Sequence, residues 1–385
     1  MIASRVTPLM SLYKYVLCVM IARMVATLLL YFGANTYIFI RLLQALSAAP
    51  VAVRVAFVVL FWLAAVSLFV AFAMRGVEDG VWLQRLLFTM GSVWLVFLLY
   101  MTLATVVIDL LSLILPAFKC GVWYALGATV LLLTYGYLNY RNPHIETIEI
   151  QSDKLQNCSL RVVAISDIHL GYGTTRKMLE QYVERINSLR ADVVLIVGDL
   201  IDNSVTPVRQ ASMCEVLSEI ETTRGVYMAL GNHEYISGIE ESLDYLCTTP
   251  IVVLRDSVTT LDSQVAIIGR DDRMNRRRKS LEELVAEVPD ELFTIVLDHQ
   301  PYDIALSEQS GVDLHLSGHT HRGQVWPLNW LTDAIYDQSH GYRLWGSTHA
   351  YVMQGLSLWG PPFRIGTQSE IVVIDLKRCD ATTLD

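Results

Sequence analysis

Hydrophobic and polar positions divide the chain into two regimes. Up to Tyr140 the residues are mostly apolar, with four stretches free of charge at 24–40, 55–74, 86–108 and 120–140. Each stretch follows a basic residue: Arg23, Arg54, Arg85 and Lys119. A bilayer crossing needs about 20 apolar residues. The pattern therefore predicts an all-α membrane domain over 1–140, with transmembrane helices at about 24–42, 52–74, 86–115 and 120–140. Tyr37, Trp82, Tyr100, Trp123 and Tyr137 lie largely near the ends of these runs, where interface anchors belong. Four buried core helices would be the alternative, but almost no amphipathic helix is present to cover them. Beyond Tyr140 the period shortens. "LRVVAIS", "ADVVLIVG", "GVYMAL", "VAIIG", "FTIVL" and "VDLHLSG" read as strands, several buried on both faces. "MLEQYVERINSLR" and "SLEELVAEV" read as helices, the second with Ser280 and Glu283 as a capping box. This predicts an α/β domain over 159–385, joined to the membrane domain by a hinge over 141–158.

Composition sharpens the division. The 385 residues are 53% hydrophobic with a net charge of -9, too apolar for an ordinary soluble protein. The first 140 residues hold 8 Lys+Arg and 3 Asp+Glu; the rest hold 21 and 35. An acidic back half lacks the basic footprint of nucleic-acid binding, so no nucleic-acid partner is expected. The cysteines, at 18, 120, 158, 214, 247 and 379, show no paired spacing and no C-x-x-C, which argues against a zinc knuckle or disulfide framework. "LSAAP" puts Pro50 where a signal peptidase would have to cut, so the N-terminus reads as a retained anchor. Four crossings place both termini on one side. If that side is cytoplasmic it holds Arg5, Lys14, Arg23, Arg75, Arg85 and Arg141, against Arg41, Arg54 and Lys119 outside.

Polar chemistry concentrates at strand ends. The first strand is followed by Asp167 and His169, the second by Asp199 and Asp202, and the third by Asn232, His233 and Glu234. "FTIVL" leads into Asp298 and His299, and "VDLHL" into His319 and His321. Any one of these pairs reads equally well as a turn or helix cap. Five in succession, each at a strand terminus, read better as one site, because ligands of α/β folds bind beyond the carboxyl ends of strands.

The ordered set "DIH", "GDLID", "GNHE", "DH" and "GHTH" resembles the calcineurin-like metallophosphoesterases, whose pattern is D-x-H, G-D-x-x-D, G-N-H-[DE], a lone His and G-H-x-H. The run from "GHTHRGQVWP" through "GPPFRIGTQSEI" looks like the membrane-attached branch, which includes YkuE-like and YaeI-like phosphoesterases and the transmembrane metallophosphoesterases. Arg322 stands where many relatives carry glycine. The resemblance implies a four-layer α/β/β/α sandwich with two divalent ions at the strand ends. One ion would take Asp167, His169, Asp199 and His321. The other would take Asp199, Asn232, His299 and His319, with Asp199 bridging. The implied reaction is hydrolysis of a phosphoester or pyrophosphate bond by a hydroxide held between the ions. Mixed Asp/Asn/His ligation suits manganese, which we favour, or iron or zinc. His233 would serve the leaving oxygen as a general acid, and Asp202 would orient a histidine, as Asp298 and Glu234 could.

The spans imply a substrate at the bilayer surface. Candidates are a nucleotide-linked lipid such as UDP-diacylglucosamine, an undecaprenyl-type pyrophosphate or a phospholipid head group. The expected protein is a multi-pass component of a bacterial inner (plasma) membrane with its α/β domain in the cytoplasm. The basic run "RDDRMNRRRK", 270–279, reads either as a contact for anionic lipid or substrate phosphate or as a solvated loop. Trp326, Trp330, Trp345 and Trp359 read either as core or as a surface for acyl chains. Two rivals stand beside this reading: a tethered phosphodiesterase for soluble diesters or nucleotides, and a sensor that binds metal without hydrolysis. A transport path has little support, since Asp109 and the loop pair Glu78 and Asp79 are the only acids in or beside the spans.

Overall fold

The computed structural model describes residues 6–74, 80–115, 121–155 and 159–379. Arg5, Arg75, Glu78, Asp79, Lys119, Cys120 and Cys158 lie outside the described residues. The apolar half forms helices α1 (Val6–Ala45), α2 (Val51–Ala73), α3 (Val81–Ser112) and α4 (Val122–Tyr140). α2 begins immediately after Pro50, whose fixed φ suits a helix entry. The segments Val19–Ala45, Val51–Ala73 and Val81–Ser112 are long and apolar enough to cross a membrane, and at most 28% of such a span is buried in the protein. Among the described residues, little of their outward apolar surface is covered by protein.

Three of the four expected spans are thus long and apolar enough to cross a membrane. α4 forms where it was expected, but it is not among the helices apolar enough to count as crossings. Tyr135, Gly136, Tyr137 and Asn139 interrupt its second half, and its last turns are bonded to the α/β domain. Asn139 donates to the carbonyls of Arg364 and Thr367, and the Tyr140 hydroxyl lies 3.0 Å from Ser357 Oγ. A side chain at Gly136 would collide with Ile365, its Cβ falling 2.6 Å from Ile365 Cγ1.

The chain divides into two compact units. The first comprises Met1–Ser67 and Val93–Leu132. Its core gathers Ile38, Leu42, Phe61, Leu98, Met101 and Val122. Some of its polar groups pair across helices: Arg41 and the Tyr37 hydroxyl both bond to Asp109, and Trp94 donates to Asn35.

The second unit comprises Leu68–Ser92 and Leu133–Asp385. Its elements after α4 are β1 (His144–Ser152), β2 (Leu160–Ile165), α5 (Arg176–Ser188), β3 (Val193–Val197), α6 (Thr206–Gln210), α7 (Met213–Leu217), β4 (Val226–Ala229), α8 (Asn232–Ile236), α9 (Ile239–Leu246) and β5 (Ile251–Leu254). There follow β6 (Ser257–Leu261), β7 (Val265–Gly269), α10 (Leu281–Val285), β8 (Phe293–Leu297), α11 (Ile304–Gln309), β9 (Leu314–Ser317), α12 (Leu328–Ile335), β10 (Gly341–Trp345), β11 (Thr348–Val352) and β12 (Glu370–Arg378). One sheet runs β1-β12-β2-β3-β4-β5 and the other β10-β11-β9-β8-β7-β6. β2 to β5 are parallel to one another, as are β7, β8, β9 and β11.

Strand alternation explains the layers. Val193, Leu195 and Val197 of β3 join Ile295, Leu297 and Leu314 in a core shared by the two sheets. Val194 and Ile196 face the other way, onto Leu179, Val183 and Ile186 of α5. On the second sheet Ile268 and Val296 pack with Leu281 and Leu284 of α10. Burial on both faces is what continuous β-branched runs predict, and each fully buried Val, Ile or Leu contributes about 1.5–3 kcal/mol. The capping box at Ser280 and Glu283 is present. Within the segment read as a hinge, 141–158, His144–Ser152 forms edge strand β1, parallel to β12.

Candidate metal centre

Five loops leave the strand ends and meet. Asp167 and His169 follow β2, Asp199 and Asp202 follow β3, Asn232 opens α8 after β4, His299 follows β8, and His319 and His321 follow β9. Asp167, His169, Asp199, His319 and His321 all have positive φ, between 46° and 71°. Non-glycine residues adopt this region rarely, and it collects at functional sites. Arg322 also has φ 48°. Small neighbours let the loops close: a Cβ on Gly231 would fall 2.2 Å from Asp199 Oδ1, and one on Gly318 2.5 Å from Asp167 Oδ2.

The side chains converge in three overlapping groups that could each hold a metal ion: Asp167, His169 and His321; His169, Asp199 and His233; Asp199, His299 and His319. Within each group the ligand atoms lie within 4.8 Å of one another. His169 Nε2 and His321 Nε2 approach to 3.1 Å, with Asp167 Oδ1 3.5 Å from the latter and 3.9 Å from the former. Atoms bound to one ion at about 2.1 Å stand about 3–3.5 Å apart, so the two spacings to His321 fit and Asp167 and His169 stand slightly wider. Asp199 Oδ2 lies 3.9 Å from His169 Nε2 and 3.1 Å from His299 Nε2, so it faces both ends of the cluster. Asn232 Oδ1 and His299 Nε2 are buried without a hydrogen-bond partner. Buried polar atoms rarely stay unsatisfied, and a cation would satisfy these.

The surrounding groups fix the loops. Ser166 Oγ and the His319 N–H bond to the Asp167 carboxylate. His233 N donates to Asp199 Oδ1 at 2.8 Å, leaving Oδ2 for the cluster. Asp202 Oδ1 is 3.1 Å from His233 Nδ1 and 3.5 Å from His169 Nδ1, close to both though aligned as a hydrogen bond with neither. Glu234 orients backbone rather than a histidine: it accepts from the N–H groups of Asp199, Ile201 and Gly231. Asp298 does not orient His299. Its partners are Arg270 and Arg278, and His299 Nδ1 is instead 2.8 Å from the Val197 carbonyl.

Electrostatics favour cations. Burial opposes charge on His233, yet Asp199 and Asp202 raise it to about 9. Burial likewise opposes charge on His299, but Asp199 and Asp167 hold it well above its usual value. His319 is pushed down to about 4 by burial and by the neighbouring His299. Burial with His169 and Arg364 holds His321 well below its usual value. Two neutral imidazoles beside buried carboxylates form a donor set suited to borderline divalent metals.

Sequence reasoning missed Arg364. This fully buried guanidinium donates to the carbonyls of His321, Gln354, Gly355 and Ser357 and so ties the last ligand loop to the loop that follows β11. It lies over forty residues beyond the motif, where no local signal marks it. Trp359 was noted for its type and not for its place: its ring centroid is 6.4 Å from that of His233. The basic run also reads differently in three dimensions. Arg270 is buried against Asp298 and Asp303, Arg278 binds the same two acids, and Lys279 pairs with Glu287. Arg270 and Arg278 thus serve as internal cement, while Arg273, Arg276, Arg277 and Lys279 stay exposed.

Comparison with known proteins agrees with this geometry. Residues 160–323 match the calcineurin-like phosphoesterase family. An uncharacterized metallophosphoesterase of Campylobacter jejuni is 32% identical over 372 residues, 91% of this chain and 96% of that one. YkuE of Bacillus subtilis, another uncharacterized metallophosphoesterase, is 32% identical over 279 residues, 68% of this chain and 96% of that one. A transmembrane protein with metallophosphoesterase domain from Danio rerio is 35% identical over 277 residues, 66% of this chain and 62% of that one. The chain belongs to the calcineurin-like metallophosphoesterases, a family of metal-dependent phosphoester hydrolases.

Proposed function

We propose that the protein is a membrane-anchored hydrolase with two divalent ions, acting on a lipid-linked phosphoester or pyrophosphate. Asp167, His169, Asp199 and His321 hold one ion; Asp199, Asn232, His299 and His319 hold the other. The observation that carries this is Asp199, whose Oδ2 faces His169 and His299 at once while its Oδ1 is tied to backbone. Manganese is the favoured metal, with iron or zinc as alternatives the donor set also suits. Two such ions supply charge for the phosphate oxygens and acidify water toward neutral pH.

The chain's own residues do the rest. His233, largely buried and raised to about 9, holds a proton at neutral pH and gives it to the leaving oxygen. Asp202 beside its Nδ1 keeps the ring turned to the site. Trp359 flanks the same ring. Two sheets with a common core and helices on their outer faces support the four-layer arrangement. We read α4 as a fourth crossing, since 19 residues rise about 28 Å, close to a hydrocarbon core of about 30 Å. The excess of basic residues then puts the catalytic half in the cytoplasm. The exposed apolar helices support a substrate presented by the membrane.

Two variants test the reading. His233→Ala should keep its metal content while hydrolysis of an aryl phosphodiester falls about 10²–10⁴-fold. Asp199→Asn should lose both ions together. Unchanged turnover in the first, or full metal occupancy in the second, rejects the assignment.

A further inference from the structure

Helix α12 carries its large apolar side chains outward. Its polar Asn329 is buried, whereas Leu328, Trp330, Leu331 and Ile335 are 46–63% exposed. Helices at a water surface do the opposite, and a contiguous exposed apolar face marks contact with something apolar. The one acid of the helix, Asp333, is engaged by Ser339. Trp326 stands just before the helix with its ring edge-on to Trp330 at 5.4 Å. Paired indoles at the edge of an apolar face are what membrane interfaces collect.

We infer that this face of α12 seats in the lipid bilayer and thereby holds the metal centre at the membrane surface. Continuity argues for lipid over a protein partner. The Trp326 N–H donates to Ile365 O, and the Ile365 side chain fills the space beside Gly136 of α4. Tyr135, Tyr137 and Leu138 around Gly136 are exposed as well. On another side Gln324 bonds to the Pro361 carbonyl, and the adjoining Gly360 lies against Ser92 of α3, within a candidate membrane span. The α12 face thus borders apolar helix surface that needs a bilayer of its own.

The helix is also built onto the ligand loop. A Cβ at Gly323 would fall 2.4 Å from the Leu328 carbonyl carbon, so the turn after His321 packs directly on α12. Tyr336, immediately after the helix, has its ring centroid 6.4 Å from that of His319. A bilayer seat for α12 therefore fixes the depth of the site. The inference rests on the membrane placement proposed above and not on hydrolysis.

The test uses the full chain reconstituted in phosphatidylcholine vesicles, comparing wild type with Trp330→Phe and Trp326→Phe. Subtracting each variant isolates the emission of one indole. Brominated acyl chains should quench that difference emission, while aqueous acrylamide should leave it. Emission quenched by acrylamide and not by bromine would mean a water-facing helix and overturn the inference. Shielding from both quenchers would mean a protein or a second copy on this face and overturn it equally. No hydrolysis is read, so a negative result leaves the catalytic proposal standing, and an inactive protein that is quenched by bromine sinks only the catalytic one.

Discussion

Asp199 shows how one side chain is prepared for two tasks. Its backbone is left-handed, its Oδ1 takes the His233 N–H, and its Oδ2 points into the cluster. A left-handed non-glycine residue costs about 1–2 kcal/mol. Five of the candidate ligands share that cost, which the surrounding hydrogen bonds must offset. Gly231→Ala tests how tightly the loop is closed. With a Cβ 2.2 Å from Asp199 Oδ1, the carboxylate must move. Elemental analysis should show lost metal, while far-UV circular dichroism stays near wild type. Asp202→Asn asks a gentler question. It should lower kcat about 10–100-fold, the usual effect of losing an orienting partner, and leave KM for an aryl phosphodiester nearly unchanged. At this scale the candidate residues were visible in the sequence, because each sits just beyond a strand end. Arg364 was not, since its worth lies in four carbonyls brought to it by folding.

At the scale of elements, charge runs and polar hinges mislead most. The stretch 270–279 looks like a basic face, yet Arg270 is buried between Asp298 and Asp303. Arg270→Met should destabilise the catalytic unit by about 3–5 kcal/mol, because it strands buried carboxylates, and urea denaturation reads this directly. Asp303 reports on the same network through pH. Burial disfavours its charge, but hydrogen bonding to Arg270 and the charges of Arg270, Arg278 and Arg273 hold it below the usual carboxylate range. A depressed carboxyl contributes stability that is fully present above its unfolded pKa of about 4 and is lost as pH falls through the folded value. Asp303→Asn should therefore be less stable at neutral pH and show a shallower acid loss below about pH 4. The segment 144–152 misled in another way. Its alternation "HIETIEI" is a half-exposed edge strand, but its pairing partner lies more than two hundred residues downstream.

For the whole molecule, the cluster should couple metal to folding. An ion that binds only the folded chain stabilises it by about 2.7 kcal/mol at a concentration 100 times its Kd. A unit of this size loses about 2–4 °C of Tm per kcal/mol. Chelator treatment should thus lower the Tm of the catalytic unit by roughly 5–10 °C, with recovery on adding manganese. An unchanged Tm would mean that the carboxylates and imidazoles do not hold ions. The long apolar helices of the first half were legible for the opposite reason to the site: a bilayer is a uniform solvent, so length and hydropathy suffice.

The sequence by itself determined the ligand chemistry, the strand-end loops and the apolar spans, because each is written in neighbouring residues. Tertiary structure alone decided that β1 completes a sheet, that Arg270 and Arg278 turn onto Asp298 and Asp303 and that α12 shows its apolar side. It also decided that the end of α4 belongs to the catalytic unit. Burial and long-range pairing depend on which distant residues meet, and that information is not carried by any local pattern.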